Sequence, residues 1–365
     1  MTLASAAPRS VAARENWSSI APTDAGFSPD LSARLDAAAA EGRLPNMHGV
    51  LIARSGKIAL ESYFEGADER WGQPVGVVKF GSDDLHDLRS VTKSIVGLLY
   101  GIALAEKKVP APEQSLFSAF PEYPDLAADP QRARLTIAHV LTMTLGTEWN
   151  ENLPYTNPAN SEIAMERASD RYRFILDRPI VGEPGARWIY NGGASALLGR
   201  IIAKGVGQSL PAFAEAKLFA PLGVPSFKWA SGQDGEPSAA SGLRLRPRDL
   251  AGIGQLILDG GKRDGRVIVP AEWLEASMRG IVPMGEGQSL RYGYQWYIGD
   301  ETFNAAPGSQ TARVIIANGN GGQRLFVMPD LELVVVTVAG NYNQRGQSLP
   351  PLVVLRDVAL PGIRT

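Results

Sequence analysis

The chain of 365 residues is long enough for one large domain or two that share a core, and its 44% hydrophobic and 20% charged residues point to a packed interior, not disorder. A formal net charge of -2 leaves no basic footprint, which argues against nucleic acid and anionic membrane as partners. Cysteine is absent and the three histidines (His48, His86, His139) form no H-x-x-x-H pair, so disulfides, thiolate chemistry and a compact metal site drop out and no cofactor is expected.

In chain order, the opening MTLASAAPRSVAAREN has no continuous apolar core. It does not read as an intact signal peptide, which favours cytoplasm over periplasm without fixing the location. LSARLDAAAAEG (Leu31 to Gly42) reads as a helix ending at glycine. HGVLIARSGKIALESYF (His48 to Phe64) reads as two strands around a Ser55-Gly56 turn. In DLRSVTKSIVGLLYGIALAEKK, apolar Val91, Ile95, Leu98, Leu99 and Ile102 recur at helical spacing, predicting a helix with one buried face. Helices are expected at Leu135 to Gly146, Gly192 to Gly207 and Ser209 to Gly223, and another from about Pro247. DGGKRDG reads as a turn between a helix and a strand. Strands follow at Tyr292 to Gly299, Ala312 to Gly319, Gln323 to Pro329 and Leu331 to Asn341, then a terminal helix in LPPLVVLRDVAL. No apolar run reaches the ~18 residues of a membrane span. Strands at both chain ends around a helical middle predict an α+β fold: a discontinuous sheet domain (1–110 and 240–365) with an inserted helical domain (111–239).

The chemistry-bearing stretch is Ser90-Val91-Thr92-Lys93. By itself this tetrapeptide fits a helix-capping serine followed by a surface lysine. In its context it also fits a nucleophile with its base. At i, i+3 both side chains face one side of the first turn, and the helix start offers the Ser90 N–H to a developing oxyanion. A neutral lysine could take the serine proton. Other serine machinery is missing, since no G-x-S-x-G elbow occurs.

The order and spacing of LRSVTKSIVGLLYGIAL, LTIAHVLTMTLG, EPGARWIYNGGASALLGRII, LFAPLG, SGLRLRPRDLAGIGQLIL and NGNGGQRLFVMPDLELVVVTVAGN resemble the serine β-lactamase and penicillin-binding-protein superfamily. The similarity is strongest to its class C-like branch, which also holds esterases, D-aminopeptidases and 6-aminohexanoate-dimer hydrolases. The resemblance runs from about His48 to Asn343 and implies a β-lactamase-like antiparallel sheet flanked by helices. It implies Ser90 as nucleophile, with Lys93 and Tyr190 as the proton-moving pair. The family's Tyr-x-Asn motif is broken here, for Gly192 stands where asparagine is usual, and Asn191 is the neighbouring amide that could swing in. The third motif, usually Lys-Thr-Gly or a His variant, corresponds to IIANGNGGQRL, which has no cation in first position. The resemblance implies close backbone approach of Gly319, Asn320 and Gly321 to substrate, with the Asn320 N–H completing the oxyanion hole; a plain glycine-rich strand turn is the other reading. Arg324 and Arg345 are the cations that could answer a substrate carboxylate.

Tyr155, in the loop GTEWNENLPYTNPAN, is a candidate substrate contact, and Glu148 or Glu151 could receive an ammonium group. His139 reads as a satisfied core histidine, and His86 could lie near Ser90. Together these imply a metal-free serine hydrolase acting on a small-molecule ester or linear amide. A β-lactamase or D-peptidase is the runner-up, and a non-catalytic binding domain on the same fold is the rival class. The sequence leaves the oligomeric state open.

Overall fold

The computed structural model describes residues 17–305 and 308–364; the opening segment read above for a leader lies outside the described residues. An eight-stranded antiparallel sheet forms the backbone of the fold. Its order is Val282–Pro283, Arg291–Tyr292, Tyr297–Ala305, Gly308–Gly319, Gln323–Met328, Leu333–Ala339, Met47–Arg54, Lys57–Tyr63. The first strand of the chain thus pairs onto the last, in register Leu51↔Val336 and Val50↔Thr337, and the second strand pairs onto the first. The Ser55-Gly56 turn has both residues at positive φ (50° and 75°), the geometry that suits a two-residue hairpin.

Alternation along the strands gives the sheet two apolar faces. Val50, Ile52, Phe326 and Val335 pack against the N-terminal helix Leu31–Ala40 and the helical C-terminus from Leu349. Leu51, Ala53, Leu325 and Val336 face the larger core, which contains the helix Val91–Ala105. That helix differs from the expectation of one buried face: every residue from Val91 to Ala103 is buried. It lies between the sheet, the helix Gly192–Val206 and the helix Ala271–Ser277, so no face is left for water.

Other differences have local causes. The helix expected from Leu135 to Gly146 shrinks to Ile137–Leu141, because the chain turns at Met143 (φ 56°). The strand expected at Tyr292 to Gly299 is interrupted where Gln295 takes φ 66°. DGGKRDG forms a short hairpin, Lys262–Arg263 with Arg266–Val267. A two-stranded ribbon, Glu65–Arg70 with Gln73–Lys79, and the helix Ala271–Ser277 are elements the sequence reading did not anticipate. No helix among the described residues is long and apolar enough to cross a membrane.

Candidate active site

A small three-stranded sheet delivers Ser90. His86–Asp87 pairs with Leu243–Leu245, which also pairs with Lys228–Trp229. Leu88 N–H then donates to Leu243 O (3.0 Å), and Leu243 N–H donates to Thr92 Oγ1 (3.2 Å). The chain turns sharply just before the helix, with Arg89 at φ 48°. A non-glycine residue in that region is costly and needs support. Support comes from the Arg89 guanidinium, which donates to Glu69 Oε1 (2.5 Å), lies 3.3 Å from Asp87 and covers the Tyr342 ring.

Ser90 occupies the position before the helix, yet its side chain caps nothing. Instead Ser90 Oγ accepts from Lys93 Nζ (3.1 Å) and from the Tyr190 hydroxyl (2.7 Å). Lys93 is 2% exposed, also donates to Ala240 O (2.9 Å), and its Nζ lies 5.0 Å from the Tyr190 ring centroid. Tyr190 is set by the start of the helix Gly192–Val206. Ile189 N–H donates to Met143 O (3.0 Å), and the Asn191 side chain accepts from Ala194 N–H (3.0 Å). Asn191 is therefore the helix cap, and the expectation that it swings toward substrate is corrected: its amide is committed to the orphan N–H groups of the first turn.

Gly192 leaves room for two carboxyls. A Cβ there would stand 3.0 Å from Glu151 Oε1 and 3.1 Å from Glu162 Oε2. Glu151 accepts from Gly192 N–H, Trp149 Nε1 (2.6 Å) and the Tyr155 hydroxyl (3.1 Å). Burial, then the adjacent Glu162 carboxyl, push Glu151 up to about 8, against the pull of Lys93 and the Gly192 N–H. Glu151 thus keeps its proton at neutral pH. Removal from water, and next the fields of Glu151 and Glu162, push the Tyr190 hydroxyl well above its ordinary value, while the bond to Ser90 acts the other way. Sequence reasoning missed Glu162 and Ala240 O, and nothing local marks either one.

The third-motif turn reaches the same place. A Cβ on Gly319 would collide with Leu88 O, so the strand end lies directly against the segment leading to Ser90. The Ser90 and Asn320 N–H groups make no hydrogen bond within the described chain. Gly321 differs from expectation, since its N–H is taken by Gln347 Oε1. The Asn320 side chain is tied to Asn343 in both directions (2.7 and 2.8 Å).

A cleft of about 560 Å³ opens at Tyr190, lined by Trp149, Glu151, Trp188, Met284 and Glu286 among others. Tyr155 is brought to the cleft's carboxyl pair through Glu151. Glu148 is not, for it pairs with Arg178. Arg345 lines a separate groove with Arg43 and Leu349. His86 is buried with both ring nitrogens unpartnered, 5.7 Å from the His48 ring, and makes no contact with Ser90 Oγ. His139 is satisfied, but by a capping box with Thr136 at the start of its helix, not mid-helix.

A family model described as Beta-lactamase matches residues 31–355. The chain belongs to the Beta-lactamase family. Within it, the 6-aminohexanoate-dimer hydrolase of Paenarthrobacter ureafaciens is 25% identical over 337 residues, 85% of this chain and 75% of that enzyme. Esterase EstB of Burkholderia gladioli is 31% identical over 208 residues, 53% of this chain and 50% of EstB. The beta-lactamase-like fold is shared with EstCE1, a hydrolase with promiscuous acyltransferase activity (TM-score 0.66, 17% identity, 89% of this chain and 98% of that one). It is shared too with a beta-lactamase/D-alanine carboxypeptidase from Pseudomonas syringae (TM-score 0.64, 17% identity, the same coverage). This beta-lactamase-family hydrolase thus carries the α+β architecture its sequence resembles.

Proposed function

We propose that the protein is a serine hydrolase cleaving an ester or linear amide bond through an acyl-enzyme on Ser90. One observation carries this reading: Ser90 Oγ caps no helix and sits between Lys93 Nζ and the Tyr190 hydroxyl. Ser90 Oγ bonds to the substrate carbonyl carbon while its proton passes to the Lys93–Tyr190 unit. The carbonyl electron pair moves onto oxygen, facing the Ser90 and Asn320 N–H groups. A phenol held this far from ionisation serves as a relay and not a resting base, so Lys93 accepts the serine proton and returns it to Tyr190 as Tyr190 gives its own to the departing alcohol or amine. Water then repeats the sequence to release the acid.

Ester and linear-amide substrates fit better than β-lactams. Arg324, the nearest replacement for the third-motif cation, is buried and spends its donors inside the protein. The esterase and aminohexanoate-dimer hydrolase relatives agree with that preference. Intact-mass analysis after treatment with a fluorophosphonate tests the reading. One adduct is expected, absent from Ser90→Ala; an adduct that persists in that variant refutes it. A panel of p-nitrophenyl esters, nitrocefin, D-alanyl amides and 6-aminohexanoate dimers then ranks the substrates.

A further inference from the structure

Arg324 is 5% exposed, and among the described residues no carboxylate lies within 4.0 Å of it. Its partners are neutral: Nη1 donates to Gly319 O and Gln323 O (both 2.8 Å), and Nη2 donates to Ser348 Oγ (2.8 Å). Burying an uncompensated cation is costly, and a neutral amide could clamp the same carbonyls at lower cost. The choice of a guanidinium therefore needs a reason beyond holding a turn.

Its position supplies one. Gly319 O and the Asn320 N–H are two ends of one peptide group. The guanidinium grips the oxygen end; the nitrogen end is the one left without a hydrogen bond, on the strand terminus that abuts Leu88. The rest of the turn is fixed: Gly321 N–H by Gln347, Gly322 O by Thr337 Oγ1 (2.9 Å), and the Asn320 side chain by Asn343. A charged donor on a carbonyl draws electron density from its amide and strengthens the N–H as a donor. We propose that Arg324 is a positioning residue for the oxyanion: through the Gly319–Asn320 peptide it presents the positive charge that the third motif lacks at the cleft surface. In the resting protein this cation has no counter-charge. The oxyanion of the tetrahedral intermediate provides one, so the interaction strengthens in the transition state and not in the ground state.

The inference rests on the acyl-enzyme reading, and one experiment separates their failures. The enzyme is acylated with a slowly released chromophoric ester, and the acyl carbonyl stretch is recorded by difference infrared spectroscopy, beside kcat and KM. In the wild-type protein a band at lowered frequency is expected. Arg324→Gln, which keeps a donor for Gly319 O without the charge, should raise that frequency and lower the acylation kcat about tenfold, with KM little changed. Arg324→Met should do both more strongly, and Ser348→Ala, which loosens the anchor but keeps the charge, should do neither. A folded Arg324→Gln or Arg324→Met with wild-type frequency and rate overturns the proposal. If neither folds, Arg324→Lys decides: it should keep a lowered frequency, and the frequency of an unbound ester overturns the proposal. Absence of any acyl band in the wild-type protein would instead refute the Ser90 reading itself.

Discussion

The two walls around Ser90 bury ionisable groups in opposite ways. On the sheet side the groups are basic side chains held by backbone carbonyls, Lys93 on Ala240 O and Arg324 on Gly319 O. On the helical side they are carboxyls held by neutral donors, Glu151 by the Gly192 N–H, Trp149 and Tyr155. Neither wall closes its charges into a salt bridge. Elsewhere this protein does so readily, as in Arg248–Glu61 and Arg171–Asp234. Buried charges that forgo a partner contribute little to stability, and they cluster where a reaction uses their field. Ser90 and Tyr190 lie between the two walls.

Breaking the proton-moving pair, Lys93 on the sheet side and Tyr190 between the walls, should have the largest effect. Lys93→Ala and Tyr190→Phe should each lower acylation about a hundredfold or more, measured as the single-turnover rate with a chromophoric ester. The double variant should fall well short of the product, because the two groups act as one unit; full multiplicativity would show that they work separately.

Next in size is substrate choice. With Arg324 committed to Gly319 and the Gly192 position filled by carboxyls, neither the third motif nor the Gly192 position offers a group to grip a β-lactam carboxylate or its acylamido chain. A charge-assisted hydrogen bond contributes about 1.5–3 kcal/mol, so kcat/KM for nitrocefin should trail that for p-nitrophenyl butyrate by roughly ten- to a hundredfold. Equal rates would promote the β-lactamase reading.

The acidic wall should act through pH. Glu151, pushed up to about 8, keeps its proton below that pH and loses it above. The added negative charge then makes Tyr190 still harder to ionise, so activity on a neutral ester should decline above about pH 8. Glu151→Gln should move that alkaline limb upward with KM unchanged. A rise in KM confined to amine-bearing esters would show instead that the pair binds a substrate ammonium.

The smallest effect sharpens the comparison by restoring the family's asparagine. Gly192→Asn should destabilise the protein by about 1–3 kcal/mol in urea unfolding, since its side chain would enter space held by Glu151 and Glu162. Adding Glu162→Ala should recover part of that loss.

How much of this was legible in the sequence differs between the walls. Ser90 and Lys93 are three residues apart on one helix turn, a relation that spacing alone displays. Tyr190 needed the family motif, because nothing local says that the start of another helix meets Ser90. Glu151 and Glu162 could not be paired from sequence, since a loop and a capped helix bring them together only in the folded chain. Asn191 misled for a physical reason: the same amide that could reach substrate is the best available cap. The ribbon Glu65–Lys79 escaped notice because Pro74, Gly72 and Gly76 break its pattern. The strands Met47–Arg54, Lys57–Tyr63, Gln323–Met328 and Leu333–Ala339, by contrast, were read nearly in place, because the apolar runs between their turns are plain.

The buried imidazoles give the molecule a direction of proton traffic. Burial holds His48 down to about 4 and His86 well below its usual value, whereas in the unfolded chain both take protons near 6.5. Unfolding between about pH 4 and 6.5 therefore takes up a proton at His48, so its contribution to stability grows as pH rises through that window, and His86 acts in the same direction. Glu151 runs the other way. Its folded value lies above that of the unfolded chain, so between about pH 4.5 and 8 unfolding releases its proton and stability falls as pH rises. Calorimetric unfolding in buffers of different ionisation enthalpy should show less proton release at pH 7.5 in Glu151→Gln than in the wild-type protein. The buried imidazoles and the carboxyl that faces Tyr190 thus pull the stability of one fold in opposite directions as pH changes.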